Sequence, residues 1–162
     1  MVRWIKIAGS QYLGFWVLGL AAFALQEAPY LIMPFLRLES NPIMNLPESS
    51  AVLNICEKLL GSLCVVLLTF VVQKDAGLFA IGSGWQRIGF FAAVAALLLN
   101  YVGWLLYFHG RQSAAVILFF IVVLPPLYYA FIGIWRENWP LFLTGIVFAI
   151  VHTAHVSGNL RT

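Results

Sequence analysis

Residues 114–135 read AAVILFFIVVLPPLYYAFIGIW, and no charged side chain interrupts them. A helix crosses a hydrocarbon core with about 20 apolar residues, in a range near 17–25, so this block is long enough to span. Lipid offers no partner to a free backbone amide, which leaves helices and closed barrels as the spanning forms. Nothing in the block alternates at period two as a barrel strand would, so it reads as a helix. Working outward, four further blocks reach the same length: Tyr12–Tyr30, Val52–Val72, Ile88–Phe108 and Trp139–Val156. The expected fold is an all-α membrane protein, a five-transmembrane-helix bundle with a proline-rich loop between helices 1 and 2. Residues 1–162 are expected to form a single integral membrane domain.

Composition agrees. The chain has 162 residues, of which 62% are hydrophobic and 9% charged. Its mean hydropathy is +0.93. Soluble domains carry about a quarter charged residues, so there are too few charges to coat a surface in water. The net charge of +3 is dispersed. No run of Lys or Arg marks a nucleic-acid partner, and membrane lipid is the expected one.

Between the first two blocks, Pro29, Pro34, Pro42 and Pro47 punctuate residues 29–50. Each removes a backbone donor and obstructs a helix. Ile32, Met33, Phe35, Leu36, Ile43, Met44 and Leu46 keep the stretch apolar, as expected of an interfacial cap lying against the helices. Ser49 or Ser50 is the expected N-cap of the second helix. Arg3, Lys6 and Ala22-Phe23-Ala24 imitate a cleaved signal peptide. Apolar sequence resumes at once over Tyr30–Leu36, which favours an uncleaved first helix.

Five crossings would put Arg3, Lys6, Lys74, Arg87 and Arg136 on one side of the membrane, against Arg37, Lys58, Arg111 and Arg161 on the other. That bias places the N-terminus in the cytoplasm of a plasma membrane. Trp4, Trp85, Trp135 and Trp139 fall on the N-terminal side as an expected aromatic belt.

Ionisable groups within spans are costly and carry a functional hypothesis. Glu27, Asn54, Glu57, Lys58, Asn100, His152 and His155 all fall towards the outer side of the five-span arrangement. Asn54, Glu57 and Gly61 share one helix face. His152 and His155 share another with Gly145 and Phe148, and with Asn159 if the helix persists. Gly89, Ala92 or Ala93, Ala96 and Asn100 make a stripe of small residues across which Asn100 can bond. Pro125-Pro126 predicts a kink whose freed carbonyls line a cavity beside Tyr128 and Tyr129. His109 is expected at the membrane surface. Cys56 and Cys64 stand more than two helical turns apart, too far for a disulfide.

Two imidazoles on adjacent turns can ligate one metal with Glu27 or Glu57 as a third ligand. His152-Thr153-Ala154-His155 nevertheless lacks the glutamate of a metalloprotease helix, and no metal is expected. A pH-sensitive or proton-relaying pair is one alternative, and ordinary satisfied histidines near the interface are the other. No Gly-rich phosphate loop, GxSxG or CxxC occurs, and no cofactor is implied.

In length, span number and tryptophan content the chain resembles the tryptophan-rich sensory (translocator) protein family. It departs from that family's proline- and tryptophan-dense signature, since Glu48–Glu57 holds no tryptophan. The resemblance therefore implies gross architecture and no function.

The expected function is binding of a small molecule, lipid or ion in a polar pocket on the outer side, as a transporter or sensor component. Glu27, Glu57, Asn100, His152 and His155 are its expected lining. Glu27 would be the proton- or cation-sensitive group, the histidines its partners and Asn100 an orienting donor. A homo-oligomer or larger membrane complex would suit so small a chain. A membrane-embedded enzyme acting on lipid or isoprenoid substrates would use the same acids and imidazoles as acid and base. A structural or accessory subunit would use them only to join helices.

Overall fold

The computed structural model describes residues 2–73 and 77–161, so the expectation for Lys74 lies outside the described residues. The chain is mostly helical, at 69%. Five helices are long and apolar enough to cross a membrane: Val17–Phe35, Ala51–Phe70, Gly84–Phe108, Ala114–Trp135 and Trp139–Asn159. Their outward faces are apolar. Val52, Ile55, Leu59, Leu63 and Val66 repeat at helical spacing along one exposed stripe, as Leu143, Val147 and Ile150 do on the last helix.

The all-α expectation needs correcting at one end. Strands β1 (Val2–Ala8) and β2 (Gln11–Phe15) pair antiparallel, and β2 pairs with β3 (Val71–Gln73). The resulting three-stranded sheet has the order β1-β2-β3. Gly9 makes the hairpin turn at φ +51°. The first span therefore starts at Val17 instead of Tyr12, and the second ends at Phe70 instead of Val72. Backbone bonding explains the boundary: Trp16, extended at φ −114°, donates its N–H to Thr69 O at 2.9 Å. Tyr12–Phe15 is apolar enough for a helix, but β2 is the central strand, held by β1 beside it in the chain and by β3, which is remote in sequence where local periodicity gives no sign of it.

Helix α1 (Val17–Ile32) runs through Pro29, as a first span reaching Tyr30 requires, and continues as a 3₁₀ turn, Met33–Phe35. Pro29 leaves the carbonyl of Leu25 without its helical donor. Tyr101 Oη supplies one, donating to Leu25 O at 2.6 Å. Helix α2 (Ala51–Phe70) is capped by Ser50, whose side chain accepts from Leu53 N. Helix α3 (Gly84–Phe108) starts in a capping box formed by Ser83 and Gln86.

The fourth span is composite: α4 (Ala114–Val116), a π-helix (Ile117–Val122) and α5 (Leu124–Trp135). The π register precedes Pro125-Pro126, where two missing N–H groups disturb the α-helical ladder. In that register Phe120 O would pair with residue 125, which has no N–H; Asn100 Nδ2 donates to it instead, at 2.8 Å. Helix α6 (Trp139–Asn159) persists to Asn159.

Close helix packing runs through glycines. A Cβ on Gly89 would meet Phe131 O at 2.8 Å, and one on Gly133 would meet Phe142 Cα at 2.8 Å. Those positions bring the backbones of α3, α5 and α6 together. The sheet end is fastened at Glu137, whose carbonyl accepts from Gln11 and whose carboxylate accepts from Gln73 and Gln86. Trp4, Trp85 and Trp139 are exposed there. Trp135, expected in the same belt, is core instead: it is 6% exposed, stacks edge-on against Trp16 and donates to Ala80 O. Arg136 lies over the Trp16 ring at 4.6 Å, and burial lowers its pKa.

At the opposite end, residues 36–50 cross the helix termini. Ile43 N donates to Tyr107 Oη at 3.1 Å, and Ser40 and Gln112 are hydrogen-bonded. This proline-rich end is where the polar side chains gather.

Candidate functional site

At the sheet end Gly19 lets α1 touch α2, since a Cβ there would lie 2.7 Å from Leu68 O. Towards the proline-rich end the space among α1, α2, α5 and α6 opens into a cavity of about 250 Å³. Gln26 and Glu27 enter from α1, Glu57 from α2, Tyr129 from α5 and His152 from α6. Trp104 of α3 and Tyr30 and Phe148 make aromatic walls. Ile121, Val122 and Pro125 complete the lining. The carbonyls of Ile121 and Val122 are those whose α-helical donors would be Pro125 and Pro126, so the double proline leaves acceptors where the cavity forms.

Three of the five expected site residues meet here: Glu27, Glu57 and His152. His155 stands behind Glu57, outside the cavity wall. Its Nδ1 lies 2.5 Å from Glu57 Oε2. Asn100 is a correction. It is 1% exposed, holds Phe120 O, and does not line the cavity. Asn54 turns to Glu48, and His109 binds Leu105 O at the end of α3.

A chain of hydrogen bonds leads from Ser49 to His155. The backbone N–H of Ser49 can only donate, and it meets Asn159 Oδ1 at 2.9 Å. Ser49 Oγ reaches the same oxygen at 2.5 Å. The Asn159 amide is thereby oriented, and its Nδ2 faces His155 Nε2 at 3.2 Å. An amide NH₂ donates, so Nε2 must carry a lone pair. In that tautomer the Nδ1–H is directed at Glu57 Oε2.

His152 is differently placed. Its Nδ1 lies 3.3 Å from Glu57 Oε1, within ion-pair distance but at an angle that leaves it without a hydrogen bond. Its ring packs against Phe148 with centroids 5.3 Å apart. Glu27 faces it across the cavity, and no hydrogen bond or ion pair ties Glu27 down among the described residues. Gln26 accepts from Tyr129 Oη at 2.9 Å, which braces α1 against α5.

Sequence reasoning expected a cavity beside Tyr129 but missed Gln26 and Trp104 as lining, and Ser49 and Asn159 as the pair that reaches His155. Gln26 stood beside Glu27 as a visible signal. The others depend on which helix faces which. Among the described residues no group of three or more His, Cys, Asp or Glu could hold a metal ion.

No family model, curated protein or solved structure matches this chain. Its function must therefore be argued from the cavity.

Proposed function

We propose that this chain is an integral protein of a cytoplasmic-type membrane that binds a small molecule, lipid head group or ion in the Glu27–Glu57–His152 cavity, as part of a transporter or sensor. Lipid around the helices accounts for the exposed apolar stripes, which water would penalise at about 25 cal/mol per Å². The positive bias supports a cytoplasmic N-terminus, which would put the cavity's proline-rich end outside.

One observation carries the binding reading. Two carboxylates, an imidazole and an amide converge from three helices on one cavity inside an apolar body. Polar groups in such a place are costly unless something rewards them. Helix joining does not account for Glu27, which joins nothing.

The test is native mass spectrometry of the protein purified in nanodiscs, together with its thermal unfolding. Wild type should carry a bound small species and lose it, with a fall in Tm, on Glu27→Gln or His152→Phe. The lipid-facing Leu59→Ala should keep it. Identical occupancy and Tm in all four proteins would refute the binding site and leave the polar residues as helix-joining groups of an accessory subunit.

A further inference from the structure

The cavity opens on one side of the bundle, and that side specifies how a ligand arrives. We infer that the ligand is a membrane-dissolved amphiphile that enters sideways between α1 and α2, its head donating hydrogen bonds in the cavity while its apolar chain stays in the lipid. This rests on the binding reading above and deepens it by naming the ligand class.

Burial locates the opening. At the back of the cavity Trp104 of α3, Ile121 and Val122 of the fourth span and Tyr129 of α5 are all buried. Towards the proline-rich end, Trp104, Ile121 and Val122 continue into an apolar cluster with Met33, Tyr107 and Val156. Leu38, Ile43 and Leu46 pack against that cluster and close this end. The corner between α2 and α6 is closed by the hydrogen bonds that run from Ser49 through Asn159 and His155 to Glu57. Helix α1 is tied to α5 by Tyr128 Oη, which donates to Ala22 O at 3.2 Å, and by Tyr129, and to α3 by Tyr101. It meets α2 at Gly19, near the sheet end. Above Gly19 the edge between α1 and α2 is left open. Tyr30 is 47% exposed there, and Glu27 and Glu57 are half-buried.

That edge meets acyl chains. Glu27, Glu57 and His152 stand about 9–12 Å along their helices from the span ends at Phe35, Ala51 and Asn159. Leu20 and Leu31 of α1 and Ile55 and Leu59 of α2 are exposed as surface for hydrocarbon. Polar groups open to lipid at such depth are costly, and a polar head brought by a lipid-soluble molecule would satisfy them.

The lining sets the chemistry of that head. A carboxyl group accepts through at least one oxygen whether or not it carries a proton, so Glu27 and Glu57 both offer acceptors. No α- or π-helical N–H can reach Ile121 O, because Pro125 and Pro126 occupy both positions. Tyr129 has spent its hydroxyl proton on Gln26. Acceptors prevail, and the head that suits them donates, through hydroxyl or amine groups. A cavity of about 250 Å³ holds such a head but is too small for a whole lipid, so the chain remains outside.

The probes are monoolein and oleylamine, which carry hydroxyl and amine heads, with methyl oleate as a tail whose head donates nothing and glycerol as a head without a tail. Native mass spectrometry of protein released from phosphatidylcholine nanodiscs loaded with each probe reads occupancy, and thermal unfolding in the same nanodiscs checks that each variant is folded. Wild type should retain monoolein or oleylamine, with a rise in Tm, and neither methyl oleate nor glycerol. Retention of monoolein assigns a hydroxyl head, and retention of oleylamine an amine head. Glu27→Leu should lower that occupancy more than tenfold, and the lipid-facing Leu59→Ala should leave it unchanged. Equal retention of methyl oleate, or retention of glycerol in place of the amphiphiles, overturns the inference. Retention of neither amphiphile overturns it as well. In that case a Glu27-dependent species still carried by the native protein leaves the binding site standing, and the absence of one brings down both.

Discussion

Tyr101 Oη donates to the carbonyl of Leu25 at 2.6 Å, and that carbonyl is the one Pro29 strips of its helical donor. Its neighbour Asn100 does the same for Phe120 O upstream of Pro125. Two adjacent side chains of α3 thus repair two proline defects, one on each flanking helix, by supplying donors that the backbone lacks there.

Tyr101→Phe should therefore destabilise the protein by about 1–3 kcal/mol, the usual consequence of leaving a carbonyl unsatisfied. Pro29→Ala restores an N–H to the helix and should recover most of the loss. The double-mutant cycle, read by unfolding in mixed micelles, checks this; additive effects would show that Tyr101 and Pro29 are not linked.

Asn100→Leu should cost less, about 1 kcal/mol. It orphans Phe120 O, but it also removes Asn100 Oδ1, a buried acceptor with no partner of its own. Pro125→Ala should lessen the effect by supplying the missing donor, and Tm in detergent measures both.

The tautomer of His155 is open to direct observation. In ¹⁵N-labelled wild type the neutral ring should carry its proton on Nδ1, since the Asn159 amide faces Nε2. In Asn159→Asp that donor is lost, and the Nε2–H tautomer should gain population. A wild-type neutral ring with its proton on Nε2 would contradict the hydrogen-bond chain from Ser49.

Gly89→Val should be severe, since its Cβ would lie 2.8 Å from Phe131 O and 2.9 Å from Trp135 Cα. A loss of about 1–3 kcal/mol or more is expected from such overpacking. Gly84→Ala meets nothing within 4 Å and should be neutral within about 0.5 kcal/mol. Thermal unfolding of the pair separates backbone contact from glycine content.

Glu137 sits at φ +49°, a conformation side chains rarely adopt, and is held there by three glutamines. Glu137→Ala keeps the carbonyl bond to Gln11 but loses the carboxylate bonds to Gln73 and Gln86. Hydrogen exchange should speed up over Val71–Gln73 with little change over Gly145–Phe148. Unchanged protection in β3 would show that the sheet does not depend on Glu137.

The sequence by itself determined the long apolar helices, because block length and the absence of charge depend only on what a hydrocarbon layer tolerates. It also marked Glu27, Glu57 and His152, since an ionisable group in such a block is conspicuous without any fold. It could not show that Gln11, Tyr12 and Leu13 pair with Gln73, Val72 and Val71, because that pairing is set by a partner remote in the chain. Nor could it separate the two histidines. His152 and His155 have the same side chain at neighbouring positions on one helix, and only the fold brings the Ser49 amide to Asn159 and so ties one ring into a hydrogen-bond chain while the other faces the cavity.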